Sequence, residues 1–159
     1  MMKIVRVEAE VHVFEGASDL TNPIAIGIAF SDGSMARIRC SGDGESVTVD
    51  NEALQGPANW GEFGGAELCS LADHVAPGIF GAEIVAVFDI VDGHGVDGHG
   101  VDGRGHFIGV ALHNESDVMF CVWNYGDELH YGEAAKLLAQ DWEALPGFQP
   151  RAGDGRRQN

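Results

Sequence analysis

The stretch KIVRVEAEVHVF, residues 3–14, alternates apolar and polar side chains along its length. One face of this segment would carry Val5, Val7, Ala9, Val11 and Val13. The opposite face would carry Arg6, Glu8, Glu10 and His12. A period of two residues places one apolar row on a core and one polar row in water, so the pattern predicts a half-buried strand of an antiparallel sheet.

Strand-like patterns continue along the chain, with turn-forming residues at 31–34 and 114–117. The further predicted strands are 24–30, 35–40, 47–49, 82–91, 106–112 and 118–123. In the third strand, Arg37 and Arg39 are expected on the outer face. Two other segments, 66–75 and 133–145, place apolar residues at helical spacing, which predicts two amphipathic helices.

The two halves of the chain resemble each other. Residues 26–29, IGIA, match residues 108–111, IGVA, and each match is followed by a polar turn, another strand and a Gly-Asp pair. These observations predict an α+β fold in which two antiparallel β-meanders, related by internal duplication, pack with two helices. We expect a single domain over 1–150, with halves at about 1–78 and 79–150, and a disordered tail at 151–159.

The composition is strongly acidic, with 25 Asp and Glu residues, 9 Lys and Arg residues and a formal net charge of -16. Such a charge repels nucleic acids and anionic membranes and attracts cations or basic proteins. Solubility, or adaptation to a salty cytoplasm, is the alternative explanation. Three cysteines without CxxC spacing, no recognisable signal peptide and no apolar run of membrane-spanning length predict a cytoplasmic protein.

Residues 91–105 contain three tandem five-residue copies, VDGHG, VDGHG and VDGRG. The candidate metal ligands in and beside this repeat are Asp92, His94, Asp97, His99, Asp102 and His106. Asp and His side chains suit a transition metal such as Zn or Ni, although the spacing matches neither an EF-hand nor the nonapeptide calcium repeat. The alternative is repeat expansion in a tolerant surface loop, which needs no metal cofactor.

A second candidate segment, WNYGDELHY, occupies residues 123–131 and combines aromatic with acidic side chains. Its candidate partner-binding residues are Trp123, Tyr125, Asp127, Glu128 and Tyr131. Aromatic anchors beside carboxylates suit an interface that captures Arg or Lys. Two alternatives stay open: a structural turn at Gly126, or acid–base chemistry by the paired carboxylates. The chain has no GxSxG, P-loop, HExxH or dinucleotide fingerprint, so we expect a binding protein rather than an enzyme.

Residues 122–129, which end in Asn-x-Gly-Asp-Glu-Leu, resemble the endings of small acidic bacterial proteins of the immunity type. The resemblance covers the C-terminal third and implies a cytoplasmic protein that binds a cognate toxin. We therefore expect an acidic protein-binding domain, such as an immunity protein that neutralises a basic toxin. The alternatives are a metal-binding protein or metal-dependent enzyme that uses the repeat, and a structural or regulatory domain.

Overall fold

A computed structural model describes residues 2–93 and 107–151, and these residues form two antiparallel sheets. The first sheet contains β1 (Ile4–Phe14), β2 (Ala17–Ser18), β3 (Ala25–Phe30), β4 (Met35–Cys40), β5 (Val47–Asp50), β6 (Ala58–Asn59) and β7 (Gly65–Ser70). The second sheet contains β8 (Ile84–Val91), β9 (Phe107–Asn114), β10 (Met119–Tyr125), β11 (Glu128–Glu133) and β12 (Gly147–Pro150). One α-helix, α1 (Ala134–Leu138), and three single-turn 3-10 helices (Gly61–Phe63, Ala72–His74 and Pro77–Ile79) complete the described elements. The predicted tail beyond residue 151 lies outside the described residues.

Each sheet is built from one half of the chain, and the two sheets share a strand order. The order is β5-β4-β3-β1-β7 in the first sheet, with β6 beyond β7, and β11-β10-β9-β8-β12 in the second. The pairing also agrees between the halves, because Gly27 lies opposite Glu8 and Arg37 while Gly109 lies opposite Ile90 and Trp123. The local sequence match therefore corresponds to the same position in two equivalent sheets.

The main core lies between the two sheets. Its buried members from the first half include Val7, Val11, Ile26, Ile28 and Ile38. Its buried members from the second half include Val110, Leu112, Phe120, Val122 and Leu129. A second core covers the outer face of the second sheet, where Trp123 and Ile90 pack with Leu137 of α1. Strands β9 and β10 are thus buried on both faces over most of their length, whereas β1 of the first sheet keeps several exposed side chains.

The expected α+β class with two packed helices is wrong, because the described chain is mostly β. Residues 66–75 do not form a helix: Gly65–Ser70 is strand β7, which pairs with β1 along its whole length, and only Ala72–His74 makes a helical turn. The apolar spacing in so short a segment fits either structure, and pairing to the exposed edge of β1 decides for the strand.

The second predicted helix, 133–145, is also wrong in extent, because α1 ends at Leu138. The chain then turns back, and the Leu137 carbonyl accepts hydrogen bonds from the Gln140 amide and from Trp142 Nε1. Leu138 and Leu145 consequently lie exposed, although helical spacing had placed them on the buried face. One helical turn is sufficient to bury Leu137 against the sheet.

The alternation in 3–14 is interrupted near its beginning. A register irregularity between Ile4 and Arg6 in the β1–β3 pairing turns Val5 outward, where it is 53% exposed, and Ile4 inward. Such a bulge adds one residue and reverses the facing of the side chains before it. The faces of Val7, Ala9 and Val11 are those predicted from the sequence.

The outer face of the first sheet differs in chemistry from the outer face of the second. Arg37 lies there as expected, but it is nearly buried because its guanidinium donates two hydrogen bonds to the Asp50 carboxylate, at 2.9 and 2.7 Å. Arg39 remains half-exposed. The equivalent position to Arg37 in the second sheet is Trp123, which lies under α1. No helix among the described residues is long and apolar enough to cross a membrane.

Candidate functional site

The candidate segment 123–131 forms a tight hairpin at one end of the sandwich. Strand β10 ends at Tyr125 and β11 begins at Glu128, so only Gly126 and Asp127 connect them. Both connecting residues have positive φ, 65° and 61°, which is the pattern of a type I′ turn. Glycine adopts this conformation without strain, and Asp tolerates it better than most residues. The turn holds the two adjacent carboxylates, Asp127 and Glu128, in water at the tip.

The structure divides the five predicted partner-binding residues into two groups. Trp123 is 0% exposed and Tyr131 is buried in the core between the sheets, where its hydroxyl donates to the Leu20 carbonyl. Tyr125 is half-buried, and Asp127 and Glu128 are exposed. Partner contact by this set stays a prediction. Of its five residues, Tyr125, Asp127 and Glu128 form the surface of the hairpin.

A cleft opens beside this hairpin, at the end of the sandwich where the β4–β5 turn of the first sheet meets the second sheet. It has a volume of about 460 Å³, which is within the usual range for binding pockets. Its walls come from the β4–β5 turn, the end of β8, the start of β9, the β10–β11 turn and the segment after α1. The lining residues that carry the argument are Glu45, Asp92, Asn124, Tyr125, Asp141, Trp142 and Glu143. We call this feature the acidic cleft.

The acidic cleft has a strongly negative lining. Four of the lining side chains above are carboxylates, and none of the described lining residues is Lys or Arg. The turns on either side add further acids. Burial and, to a smaller degree, the charges of Asp127, Glu128 and Asp43 together raise the pKa of the Cys40 thiol to about 11. The negative charges of acids from both sheets therefore add up at Cys40, and the electrostatic potential at this end of the sandwich favours a cation.

Aromatic side chains form one wall of the acidic cleft. The rings of Tyr125 and Trp142 meet edge to face, with centroids 4.8 Å apart. The Tyr125 hydroxyl donates to the Asp141 carbonyl at 2.9 Å, and Trp142 Nε1 donates to the Leu137 carbonyl at 2.8 Å. These bonds fix both rings beside the carboxylates, where they offer apolar and cation-binding faces.

Asn124 lies between the hairpin and the opposite sheet. It is 3% exposed, and its Nδ2 donates to the Ser46 carbonyl at 3.0 Å. This bond fixes the orientation of the amide, because a flipped amide would place two oxygens against each other. The other amide atom, Oδ1, is buried and accepts no hydrogen bond from any group in residues 2–93 or 107–151. A buried acceptor without a donor is rare in folded proteins and costs about 1–3 kcal/mol.

No family model, curated protein or solved structure matches this chain. The geometry of the acidic cleft is therefore the basis on which its function is inferred.

Only one of the six candidate metal ligands of the repeat lies within the described residues. Asp92 lines the acidic cleft, whereas His94, Asp97, His99, Asp102 and His106 lie outside the described residues. Within residues 2–93 and 107–151, no three Asp, Glu, His or Cys side chains come together in a group that could hold a metal ion. The metal hypothesis for the repeat stays a prediction.

Sequence reasoning missed several residues of the site, namely Glu45, Asn124, Asp141, Trp142 and Glu143. The repeated Gly-Asp pairs were the available signal, because Gly42-Asp43 and Gly126-Asp127 lie in equivalent turns of the two halves. A Cβ atom added to Gly44 would lie 3.8 Å from Asp127 Cγ, so the two turns are neighbours in space. That meeting depends on how the sheets stack, which a local pattern does not encode.

His130 connects the hairpin to the core behind it and gives a prediction about pH. It stacks on Trp123 at 5.8 Å, and its Nε2 lies 3.3 Å from the Tyr125 carbonyl. Burial is the main cause that lowers the pKa of His130 below its ordinary value. The folded state therefore binds a proton at His130 less readily than the unfolded state does. The contribution of the neutral His130 to the free energy of unfolding is complete above about pH 6.5, and it decreases as the pH falls through the folded pKa.

We expect His130→Gln to flatten the pH dependence of unfolding below about pH 6.5. Urea unfolding of the wild type and the variant at several pH values between about 5 and 8 measures the slopes. The matched control is His74→Gln, because His74 is exposed on a single-turn helix. Equal slopes for the wild type and His130→Gln would contradict the prediction, whatever the absolute stabilities.

Proposed function

We propose that this chain is an acidic binding protein that receives a basic protein partner at the acidic cleft. The observation that carries the proposal is the position of the carboxylates, which surround one cleft at the meeting point of two sheets without a Lys or Arg among its described lining residues. Carboxylates beside rigid aromatic rings can hold Arg or Lys at a protein interface, where binding of the partner removes them from water. The net charge of -16 adds steering of a basic partner from a distance.

An immunity protein that neutralises a basic toxin is the specific form of this proposal. The support is the acidity and the sequence resemblance at residues 122–129, which form the strand and hairpin beside the acidic cleft. A cytoplasmic location agrees with three cysteines that form no disulfide. The same negative charge disfavours nucleic acid as the partner.

The test compares two variants of equal net charge. The cleft variant neutralises four acids around the acidic cleft: Glu45→Gln, Asp127→Asn, Glu128→Gln and Asp141→Asn. The control variant neutralises four exposed acids on other elements: Glu15→Gln, Glu62→Gln, Glu67→Gln and Asp73→Asn. Both carry four fewer negative charges, so a difference between them reports position rather than total charge.

Affinity capture from a lysate of the source organism, followed by mass spectrometry, measures partner binding at moderate salt. We expect the wild type and the control variant to retain the same basic protein and the cleft variant to lose it. Capture of no basic protein, or equal capture by all three chains, would overturn the proposal. Co-expression then tests the immunity form: the captured protein should arrest growth of a host, and the wild-type chain should restore it better than the cleft variant.

A further inference from the structure

The geometry points to one arginine side chain of the partner as the ligand of the acidic cleft, held by Asn124 Oδ1 and the neighbouring carboxylates. This inference rests on the proposed function and specifies its chemistry. Asn124 is the starting point, because it lines the acidic cleft and carries a buried oxygen that is paired with no donor of the described residues. Asn124 is 3% exposed, so a donor must enter the cleft below the surface to reach its side chain.

The requirements of Asn124 and of the carboxylates select the same kind of ligand. An amide oxygen accepts hydrogen bonds and never donates them, so its missing partner is an N–H or O–H group. The surrounding Glu45, Asp141 and Glu143 favour a positive charge on that group. A protonated nitrogen donor satisfies both conditions.

Arginine fits these conditions better than lysine for geometric reasons. A guanidinium carries five N–H donors in one plane, so it can donate to an amide oxygen and to a carboxylate at the same time. It also stacks on aromatic rings, and Tyr125 and Trp142 stand at the same wall as the acids. A lysine ammonium is a compact, strongly hydrated charge, so it loses more hydration on entering such a site.

The position of Asn124 gives it a role that the exposed acids do not have. Glu45, Asp127 and Asp141 are exposed at the mouth, whereas Asn124 is buried at the boundary between the sheets. Charges at a rim act mainly on the rate of association, while a buried hydrogen-bonding group acts on dissociation and on specificity. Asn124 is thus a specificity-determining residue that distinguishes a guanidinium from other cations.

The test uses defined probes rather than the partner itself. The blocked tripeptides acetyl-Gly-Arg-Gly-amide and acetyl-Gly-Lys-Gly-amide are titrated into the wild-type chain at fixed ionic strength, and NMR of the backbone and side-chain amides is followed. We expect saturable shifts of the Asn124 side-chain amide, the Gly126 amide and Trp142 Nε1–H with the arginine probe. The lysine probe should bind at least about tenfold more weakly, because the planar guanidinium makes a second charge-assisted hydrogen bond that the ammonium does not.

Two variants separate the role of Asn124 from that of the exposed acids. Asn124→Leu removes the acceptor with little change in size and should weaken the arginine probe about tenfold or more. Glu45→Gln together with Asp141→Asn changes only exposed side chains, so it keeps the test valid if Asn124→Leu does not fold. This pair should weaken both probes and leave the preference for arginine over lysine in place, because Asn124 is unchanged.

Three results would overturn the inference. They are equal affinity for the two tripeptides, shifts spread over the whole acidic surface without saturation, and tighter binding of free L-arginine than of the blocked tripeptide. The last result would identify a free amino acid as the ligand instead of a partner's side chain. If the basic protein is lost from the cleft variant while the arginine probe fails to bind, the proposed function stands and the arginine anchor does not.

Discussion

Replacing Trp123 by alanine is expected to lower the free energy of unfolding by about 3–5 kcal/mol, the range for deleting a large buried aromatic side chain. Trp123 is 0% exposed and packs with Ile90, Cys121 and Leu137 between the second sheet and α1. Its Nε1 donates to Gln140 Oε1, so the substitution also leaves that acceptor without its partner. Urea unfolding followed by circular dichroism measures the change.

Trp60→Ala is the matched control for this prediction. Trp60 is 44% exposed and contacts His12 by ring stacking at 5.6 Å. Removal of a surface tryptophan of this kind should cost about 1 kcal/mol or less. A similar decrease in the free energy of unfolding for Trp123→Ala and Trp60→Ala would contradict the prediction.

Gly109→Ala should be the second strongly destabilising substitution, with a loss of about 3 kcal/mol or more. A Cβ at Gly109 would lie 2.4 Å from the Val122 carbonyl oxygen and 2.8 Å from Trp123 Cβ. These atoms belong to the centre of a strand buried on both faces, so neither can move away without breaking the pairing of β9 with β10. Overpacking of a rigid core costs about 1–3 kcal/mol, and contact with backbone lies at the upper end of that range.

The chain supplies its own control in the equivalent glycine of the first half. A Cβ at Gly27 would meet the Leu54 side chain at 3.0 Å, and Leu54 belongs to a partly exposed segment that can shift. Gly→Ala reduces the entropy of the unfolded chain by the same amount at both positions, so that effect cancels in the comparison. We expect Gly27→Ala to change stability by about 1 kcal/mol or less. Equal unfolding midpoints for the two alanine variants would contradict the account.

The strands could be predicted where alternation was long or where turns bounded it. The prediction of 35–40 coincides with Met35–Cys40, and the predicted first strand differs from Ile4–Phe14 by one residue at its start. The failures have a common cause. Residues 65–70 and 128–133 become strands because they lie beside β1 and β10, and their own sequence carries only a weak period. Their strand conformation depends on pairing with distant segments, and a local sequence window does not show which segments will pair.

The site was predictable only in its exposed half. The Gly-Asp-Glu turn stands out in the sequence, because two carboxylates follow a glycine at the end of an apolar run. Asn124 gives no such signal, since its importance comes from being buried against Ser46, a residue 78 positions earlier. Asp141 and Trp142 were read as members of a long helix, and they reach the acidic cleft only because α1 ends early.

The acidic cleft lies across the boundary between two sheets that belong to different halves of the chain. A ligand that bridges the two sides can bind only while the sheets remain stacked, so its binding free energy adds to the stability of the folded state. Without a ligand, like charges on the two sides repel each other and oppose that stacking. We therefore expect the chain without a ligand to be more open to proteolysis, and the partner proposed above to protect the chain when it binds.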